Sequence, residues 1–310
     1  MMGSVGRPDT IEIVEVGPRD GLQNEDTLIS TAVKVALVQH ALDAGVRRIE
    51  VASFVHPERV PQMADAEAVV AGLPNDDNAT YIGLCLNTRG LLRALATREG
   101  GARGVDQIGC VTVASDAFGR RNQGQTIAES VAETRTMLKL ARAEGIAAQA
   151  TIAVAFGCPF EGEVAPSTVL AIAEDCLADG PVEIALADTI GVAVPAQVAA
   201  LFERLRDVLP AHIKMRGHFH DTRNTGIANI WAAVGAGADT IDASLGGLGG
   251  CPFAPGAAGN VATEDAVYMF ARSGIATGLD SARLLKASAW LAGVMGKTLP
   301  SKLAQAGGFP

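Results

Sequence analysis

The stretch "VEIALADTIGVAVPAQVAALFERLRDV", residues 182–208, contains a complete strand-and-helix unit. Residues 182–188 are mostly apolar and include β-branched side chains, a composition that predicts a buried strand. Residues 195–208 repeat apolar positions at helical spacing, and Pro195 stands where a first helical turn would begin. Gly180 precedes the unit, where a left-handed residue would end the helix before it. The segment therefore predicts one βα unit.

The same alternation recurs along the whole chain. Strands are predicted at residues 11–17, 47–53, 80–86, 105–114, 147–156, 182–188, 213–221 and 240–246. Helices are predicted between them, for example at 31–44, 127–144, 166–179, 195–208 and 225–236. Because such a series of eight units in about 250 residues is typical of a closed barrel, we predict an α/β fold of the (β/α)8 TIM-barrel type. A doubly wound open sheet is the alternative.

The domain organisation predicted from these units is simple. No long linker or low-complexity tract interrupts the chain, so residues 1–310 are expected to form a single domain. Its barrel would span about 9–260. Helical segments at 262–272 and 281–295 would form a C-terminal extension, about 261–310, packed beside the barrel. These last helices could also support a homo-oligomer such as a dimer.

Composition excludes several classes of protein. The net charge of −9 argues against nucleic-acid binding, which needs a basic surface. No run of about 18 uncharged apolar residues predicts a membrane span, and the N-terminus lacks the apolar stretch of a signal peptide. The odd number of cysteines and the absence of a CxxC pair favour a reducing, cytoplasmic setting over a disulfide framework.

The segment "RGHFHDT", residues 216–222, places His218 and His220 two residues apart near the end of the seventh predicted strand. Alternate residues of a strand face the same side, so the two imidazoles point together. That end of a barrel strand is where barrel enzymes place their chemistry. A histidine pair alone is more often structural, however, and a metal site needs further ligands. Asp221 could orient His220 or cap the following helix.

Barrel closure supplies those further ligands. Asp20 follows the first strand and Asn260 follows the eighth, so in a closed barrel both side chains can converge on His218 and His220. Glu50 lies on the second strand among apolar residues, where a carboxylate is either paired or functional. Two imidazoles, a carboxylate and an amide oxygen suit Mg²⁺ or Mn²⁺, and such an ion could polarise a substrate oxygen.

Neither of two glycine-rich segments supports a nucleotide or flavin site. "GVMGKT" (293–298) lacks the spacing of a phosphate-binding loop. "GLGGCP" (247–252) gives no GxGxxG, and it follows the last strand where a dinucleotide fold would need it after the first. The cofactor predicted from the sequence is therefore a divalent metal alone.

Four motifs, of which the first and last are long and highly specific, carry a resemblance to a known family. They are "EVGPRDGLQNE" (15–25), "ASFVHPERVPQMAD" (52–65), "GHFHDT" (217–222) and "GGLGGCPFAPGAAGNVATED" (246–265). With them the chain resembles the 3-hydroxy-3-methylglutaryl-CoA (HMG-CoA) lyases, which are metal-dependent TIM-barrel enzymes. The resemblance implies retro-Claisen cleavage of HMG-CoA, or of a close 3-hydroxy-3-alkylglutaryl-CoA, to acetoacetate or its homologue and acetyl-CoA.

The resemblance also implies a role for each matching residue. It assigns the metal to Asp20, His218, His220 and Asn260, catalysis to Arg19, Glu50 and Cys251, and substrate binding to Arg19 and Gln23. Arg19 would stabilise the developing enolate, Glu50 would organise proton transfers, and Cys251 would lie on a loop that closes over the substrate. Departures from the family pattern at Leu86, Ala153, Val154 and 223–225 bear on substrate identity more than on reaction type.

Two alternative functions use the same barrel. A Claisen-condensing synthase of the isopropylmalate or homocitrate type would share the metal, but the Arg19-Asp20 order and the "GGLGGCP" loop favour the lyase. A non-catalytic acyl-CoA-binding barrel would require an incomplete metal set. The expected partner is in each case a small molecule.

Overall fold

A computed structural model describes residues 8–251 and 254–309 of the chain. The barrel strands are β1 Glu12–Glu15, β2 Arg48–Ser53, β3 Thr80–Cys85, β4 Gln107–Val113, β5 Ala147–Ala153, β6 Glu183–Asp188, β7 Lys214–Phe219 and β8 Thr240–Ala243. They form a closed parallel barrel in chain order, which confirms the predicted TIM barrel. A short antiparallel pair follows, β9 Gly250–Cys251 and β10 Ala254–Ala258.

Helices cover the outside of this barrel. They are α1 Thr31–Asp43, α2 Ala66–Ala71, α3 Thr88–Ala96, α4 Asp116–Asn122, α5 Ile127–Ala143, α6 Pro166–Leu177, α7 Pro195–Val208, α8 Gly226–Gly235, α9 Thr263–Arg272, α10 Ser281–Met295 and α11 Lys302–Ala306. Pro166 and Pro195 open their helices as predicted. None of the helices within the described ranges has the length and apolarity to cross a membrane.

The barrel closes through the pairing of its first and last strands. β1 pairs in parallel with β8, with Glu12 opposite Thr240 and Glu15 opposite Ala243. The open-sheet alternative is therefore wrong. Several strands end earlier than predicted; for example, the strand predicted at 147–156 stops before Val154, because that residue has a φ of 52° and leaves the extended conformation.

The interior of the barrel is strongly charged. Arg216 is fully buried; it donates to Gln149 Oε1 at 2.8 Å and lies 3.7 Å from Glu183. Nearer the amino-terminal end, Arg48 lies 3.0 Å from the same Glu183. These buried charges are tolerated because each faces an opposite charge or a hydrogen-bond partner. The apolar core lies instead between the strands and the surrounding helices.

The C-terminal helices pack beside the barrel, as predicted. The rings of His40 in α1 and Trp290 in α10 lie 4.3 Å apart between centroids. The backbone N–H of Asp280, which caps α10, donates to Ala44 O at 2.9 Å. Beyond α10, Ser301 donates through its backbone to Gly246 O at 3.0 Å, so the extension also supports the turn that follows β8.

Candidate active site

A cavity of about 310 Å³ opens at the carboxyl ends of the barrel strands. Its lining divides by strand. The loops and strands from β7, β8, β1 and β2 contribute charged and imidazole side chains, namely Arg19, Asp20, Glu50, Arg216, His218, His220 and Asp242. The opposite wall, from β3 to β5, contributes Leu84, Leu86, Val111 and Ala153. Thr151, Asn122 and Gln123 add polar groups to this wall. A charged half facing a mostly apolar half is typical of a site that orients one small ligand.

A larger groove of about 750 Å³ lies at the amino-terminal end of the barrel. Its charged groups already pair with one another: Glu12 lies 2.9 Å from Arg48 and 3.2 Å from Lys214. Paired charges at the amino-terminal face of a TIM barrel stabilise the fold, whereas catalysis takes place at the carboxyl-terminal face. The smaller cavity is therefore the candidate active site.

Three residues in the cavity could hold a metal ion. Asp20 Oδ2 lies 3.6 Å from His220 Nε2 and 4.0 Å from His218 Nε2. The ligand atoms of these three residues lie within 4.8 Å of one another, the one such group in the described part of the chain. A carboxylate and two imidazoles at this separation can share one divalent cation.

Asn260 completes this group across the barrel seam. Its Nδ2 donates to Asp20 Oδ2 at 2.9 Å and to Leu248 O at 3.3 Å. A metal ion would need the amide turned so that Oδ1 faces Asp20. Gly249 packs closely against this amide, because a Cβ at that position would lie 2.7 Å from Asn260 Nδ2. The structure thus brings together all four residues that the sequence assigned to the metal.

Arg19 connects two carboxylates at the edge of this group. Its guanidinium forms ion pairs with Asp20 on one side and with Glu50 on the other. Glu50 is 2% exposed, so the arginine compensates a buried charge. The sequence left Glu50 either paired or functional; it is paired, and it lies in the cavity lining as well.

The charge state of Asp20 follows from its neighbours. Burial alone would raise the pKa of its carboxyl, but Arg19 and the two histidines hold that pKa well below its usual value. Asp20 is therefore an anion at neutral pH, which is the form that binds a cation.

His218 has a second carboxylate on its other side. Its Nδ1 lies 3.0 Å from Asp242 Oδ2, while Arg216 Nε donates to Asp242 Oδ1. Burial alone would raise the pKa of Asp242, but Arg216 and His218 bring it below its usual value. The imidazole is therefore held between two carboxylates, with Nε2 facing Asp20.

The other predicted residues have different positions. Gln23 lines the cavity, and its Oε1 is buried with no hydrogen-bond partner among the described residues. The side chain of Cys251 lies outside the part of the chain that the structure describes. Asp221 caps a helix, since its Oδ1 accepts from Gly226 N at 2.7 Å at the start of α8. Of the alternatives for Asp221, capping is the one found.

Sequence reasoning missed Asp242 and Arg216. Asp242 carried a usable signal, because it is the one charged residue in the short strand Thr240–Ala243. Arg216 precedes His218 by two residues, so the period of the strand places both on the same face.

The buried carboxyl group of Glu15 fixes the loop that carries Arg19 and Asp20. Glu15 Oε1 accepts from the backbone of Gly17 and of Leu245, each at 2.8 Å, and Oε2 lies 2.7 Å from Thr263 Oγ1. These contacts tie the turn after β1 to the turn after β8 and to the start of α9. These hydrogen bonds therefore hold the turn that carries Arg19 and Asp20 in a fixed position.

Glu15→Gln is expected to make stability less dependent on pH. Burial raises the pKa of Glu15 from 4.5 to about 8, so across that window the folded protein keeps a proton that the unfolded chain releases. The wild type thus loses stability as pH rises towards 8, by up to about 1.4 kcal/mol per pH unit. The neutral amide does not titrate, and its NH₂ can donate to Thr263 Oγ1.

Urea unfolding at pH values from 5 to 9 measures this effect. As pH increases to about 8, the free energy of unfolding of Glu15→Gln minus that of the wild type should increase. Above pH 8 this difference should stay constant. The exposed Glu203→Gln in α7 is the matched control and should follow the wild type throughout. A constant difference between Glu15→Gln and the wild type over pH 5–8 would contradict the raised pKa.

Comparison with known proteins adds relatives over nearly the whole chain. The chain is 42% identical to the (R)-citramalyl-CoA lyase of Chloroflexus aurantiacus, over 96% of this chain and 95% of that protein. The solved HMG-CoA lyase of Bacillus subtilis is 38% identical with a TM-score of 0.92, covering 97% and 99% of the two chains. An Acinetobacter baumannii HMG-CoA lyase, solved with coenzyme A and 3-methylmalate, is 38% identical with a TM-score of 0.90, covering 96% and 95%.

A closed TIM barrel with relatives of this kind is a carbon–carbon lyase. The family model described as HMGL-like matches residues 10–291. The chain therefore belongs to the HMGL-like family, and the family resemblance found in its motifs is confirmed.

Proposed function

We propose that the chain is a divalent-metal-dependent acyl-CoA lyase that cleaves HMG-CoA, or a close 3-hydroxy-3-alkylglutaryl-CoA, to acetoacetate or its homologue and acetyl-CoA. The observation that carries the proposal is the convergence of Asp20, His218 and His220 on one point beside the guanidinium of Arg19. The relative that binds coenzyme A and 3-methylmalate supports a thioester substrate with a hydroxy acid portion.

The residues present fit a Mg²⁺ or Mn²⁺ ion. Asp20, His218 and His220 would hold it, and Asn260 would join them once its amide oxygen faces inward. Nitrogen and oxygen ligands without sulfur suit these two metals. When bound, such an ion supplies a Lewis acid that lowers the pKa of the substrate's hydroxyl group.

Arg19 would act on the other half of the reaction. Breaking the C2–C3 bond leaves negative charge on the thioester oxygen, and a fixed guanidinium stabilises that charge without having to reorganise. Glu50 and Asp20 hold Arg19 from two sides, so its position is set before substrate arrives. Glu50 would also organise the proton transfers, and Cys251 would close over the substrate as the family resemblance implies.

Gln23 and the apolar wall would position the substrate. The buried Oε1 of Gln23 accepts no hydrogen bond from the described residues, so it can accept one from a hydroxyl or amide group of the substrate. Leu84, Leu86 and Val111 offer an aliphatic surface to the C3 alkyl group on the opposite side. That wall also lowers the local dielectric, which strengthens the charge interactions of Arg19.

Cleavage of (R)-citramalyl-CoA is the second candidate. The relative that carries this activity in its name is 42% identical and matches 96% of this chain. The same type of bond breaks in both substrates, between the carbon next to the thioester carbonyl and the carbon that bears the tertiary hydroxyl group. The oxo acid released from (R)-citramalyl-CoA would be pyruvate in place of acetoacetate. The same metal and arginine would serve both reactions.

A product assay tests both candidates. Purified protein with Mg²⁺ or Mn²⁺ should release acetyl-CoA from one of the two thioesters, with acetoacetate or pyruvate identifying which. A chelator should stop the release, and added metal should restore it. Failure to release acetyl-CoA from either thioester, or from larger 3-alkyl analogues, would overturn the proposal.

We further propose that residues 1–310 form one domain, that the protein is a homo-oligomer such as a dimer, and that it works in the cytoplasm on small molecules. The net charge of −9 supports a small-molecule partner over a nucleic acid. Four described cysteines, namely Cys85, Cys110, Cys158 and Cys176, are buried and unbridged, which supports a reducing compartment.

A further inference from the structure

We propose that Asp242 is a positioning residue that holds the imidazole of His218 in the tautomer protonated at Nδ1, with the lone pair of Nε2 directed towards Asp20. The inference rests on the metal site of the proposed function and goes beyond it, because Asp242 itself would bind no metal. Carboxylates commonly orient metal-binding histidines in this way.

The geometry separates the two ring nitrogens of His218. Nδ1 lies 3.0 Å from Asp242 Oδ2, and Nε2 lies on the opposite side, 4.0 Å from Asp20 Oδ2. Both residues are nearly buried, with His218 8% and Asp242 6% exposed, so water competes little for these contacts. An imidazole that donates from Nδ1 keeps Nε2 as its acceptor or metal-binding atom.

Arg216 determines which atoms of Asp242 face the histidine. Its Nε donates to Asp242 Oδ1, and a guanidinium can only donate. Arg216 cannot swing away, because NH1 donates to Gln149 Oε1 at 2.8 Å and lies 3.7 Å from Glu183. Each oxygen of Asp242 therefore receives one donor: Oδ1 from the arginine and Oδ2 from the histidine.

This arrangement predicts an unusual effect of the Asp242→Asn substitution. Asparagine has nearly the same volume but only one oxygen. Because Arg216 can only donate, that oxygen must face Arg216, and the NH₂ group must face His218 Nδ1. Nδ1 would then accept, the proton would move to Nε2, and the atom directed at Asp20 would have to lose that proton before it could bind a metal.

Nuclear magnetic resonance on the metal-free protein reads the tautomer directly. Long-range ¹H–¹⁵N spectra at pH 9, well above the ordinary imidazole pKa, distinguish protonation at Nδ1 from protonation at Nε2. His218→Gln identifies the His218 signals by their loss. We expect an Nδ1–H tautomer in the wild type and an Nε2–H tautomer in Asp242→Asn. The His220 pattern should be the same in both and serves as the internal reference.

Manganese binding, followed by electron paramagnetic resonance, gives the second measurement. Asp242→Asn should weaken Mn²⁺ binding by about 10- to 100-fold. Asp239→Asn is the matched control: Asp239 precedes the same strand, accepts from Met215 N at 2.8 Å, and is 41% exposed on its side chain. Its Mn²⁺ affinity and its His218 spectrum should equal those of the wild type.

The outcomes separate this inference from the proposed function. A wild-type protein that binds Mn²⁺ but shows the Nε2–H tautomer overturns the role of Asp242, whether or not the variant folds. A folded Asp242→Asn protein that keeps Nδ1–H and wild-type Mn²⁺ affinity overturns it as well. Failure of the wild type to bind Mn²⁺ instead overturns the proposed function.

Discussion

His218→Ala is expected to abolish Mn²⁺ binding and to lower kcat/KM by about 10³-fold or more, while the barrel stays folded. A divalent ion contributes several kcal/mol to transition-state stabilisation, and each 1.36 kcal/mol is a factor of ten in rate. The fold should survive because the imidazole lines the cavity and the apolar core lies elsewhere. Metal titration, steady-state kinetics and circular dichroism measure the three effects.

The chain offers a matched control for this substitution. His212 is exposed in the segment before β7, so it precedes the same strand without entering the cavity. His212→Ala should keep wild-type metal affinity and rate. Near-normal activity in His218→Ala would remove that residue from the metal set, whereas a loss of folded structure would show that it holds the barrel together.

Arg19→Lys should lower kcat by about 10²-fold with a smaller change in KM. Lysine keeps the positive charge next to Asp20 and Glu50, but it lacks the rigid fork that contacts both carboxylates and the enolate oxygen together. Arg19→Met should lower kcat by about 10³-fold, in the range found for the loss of a fixed oxyanion donor.

Stability should separate the two variants of Arg19. Methionine removes the nearest cation of the buried Glu50 and leaves Arg216 at 4.0 Å. Loss of one member of a buried pair costs about 3–5 kcal/mol. Lysine should retain most of that stability. Arg283→Lys is the control, because Arg283 pairs with Asp280 at 3.5 Å on the surface of α10. Equal rates for Arg19→Lys and the wild type would show that only the charge of Arg19 matters.

The barrel and the four-residue group could be predicted because the relevant signals are local. Each βα unit shows its own periodicity, and the spacing of His218 and His220 puts both on one face of β7. Asp20 and Asn260 could be added because parallel strands bring all their carboxyl ends to one side of a barrel. Eight units in about 250 residues then favour a closed barrel over an open sheet.

The pairing of His218 with Asp242 could not be predicted in the same way. It depends on the register between β7 and β8, in which Arg216 lies opposite Thr240 and Gly217 opposite Ile241. A slip of one residue would turn Asp242 to the outer face of the barrel. Neither strand encodes that register by itself; the packing of the surrounding helices and turns determines it.

The hydrogen bond from Asn260 to Asp20 joins residues 240 positions apart in the chain. During synthesis Asp20 is made long before Asn260, so an incomplete chain lacks one of the four residues proposed for the metal. In the folded barrel Asp20 and Asn260 lie side by side, so a ligand that contacts both residues binds the folded state and not the unfolded chain. Its binding free energy then adds to the resistance of the finished protein against unfolding.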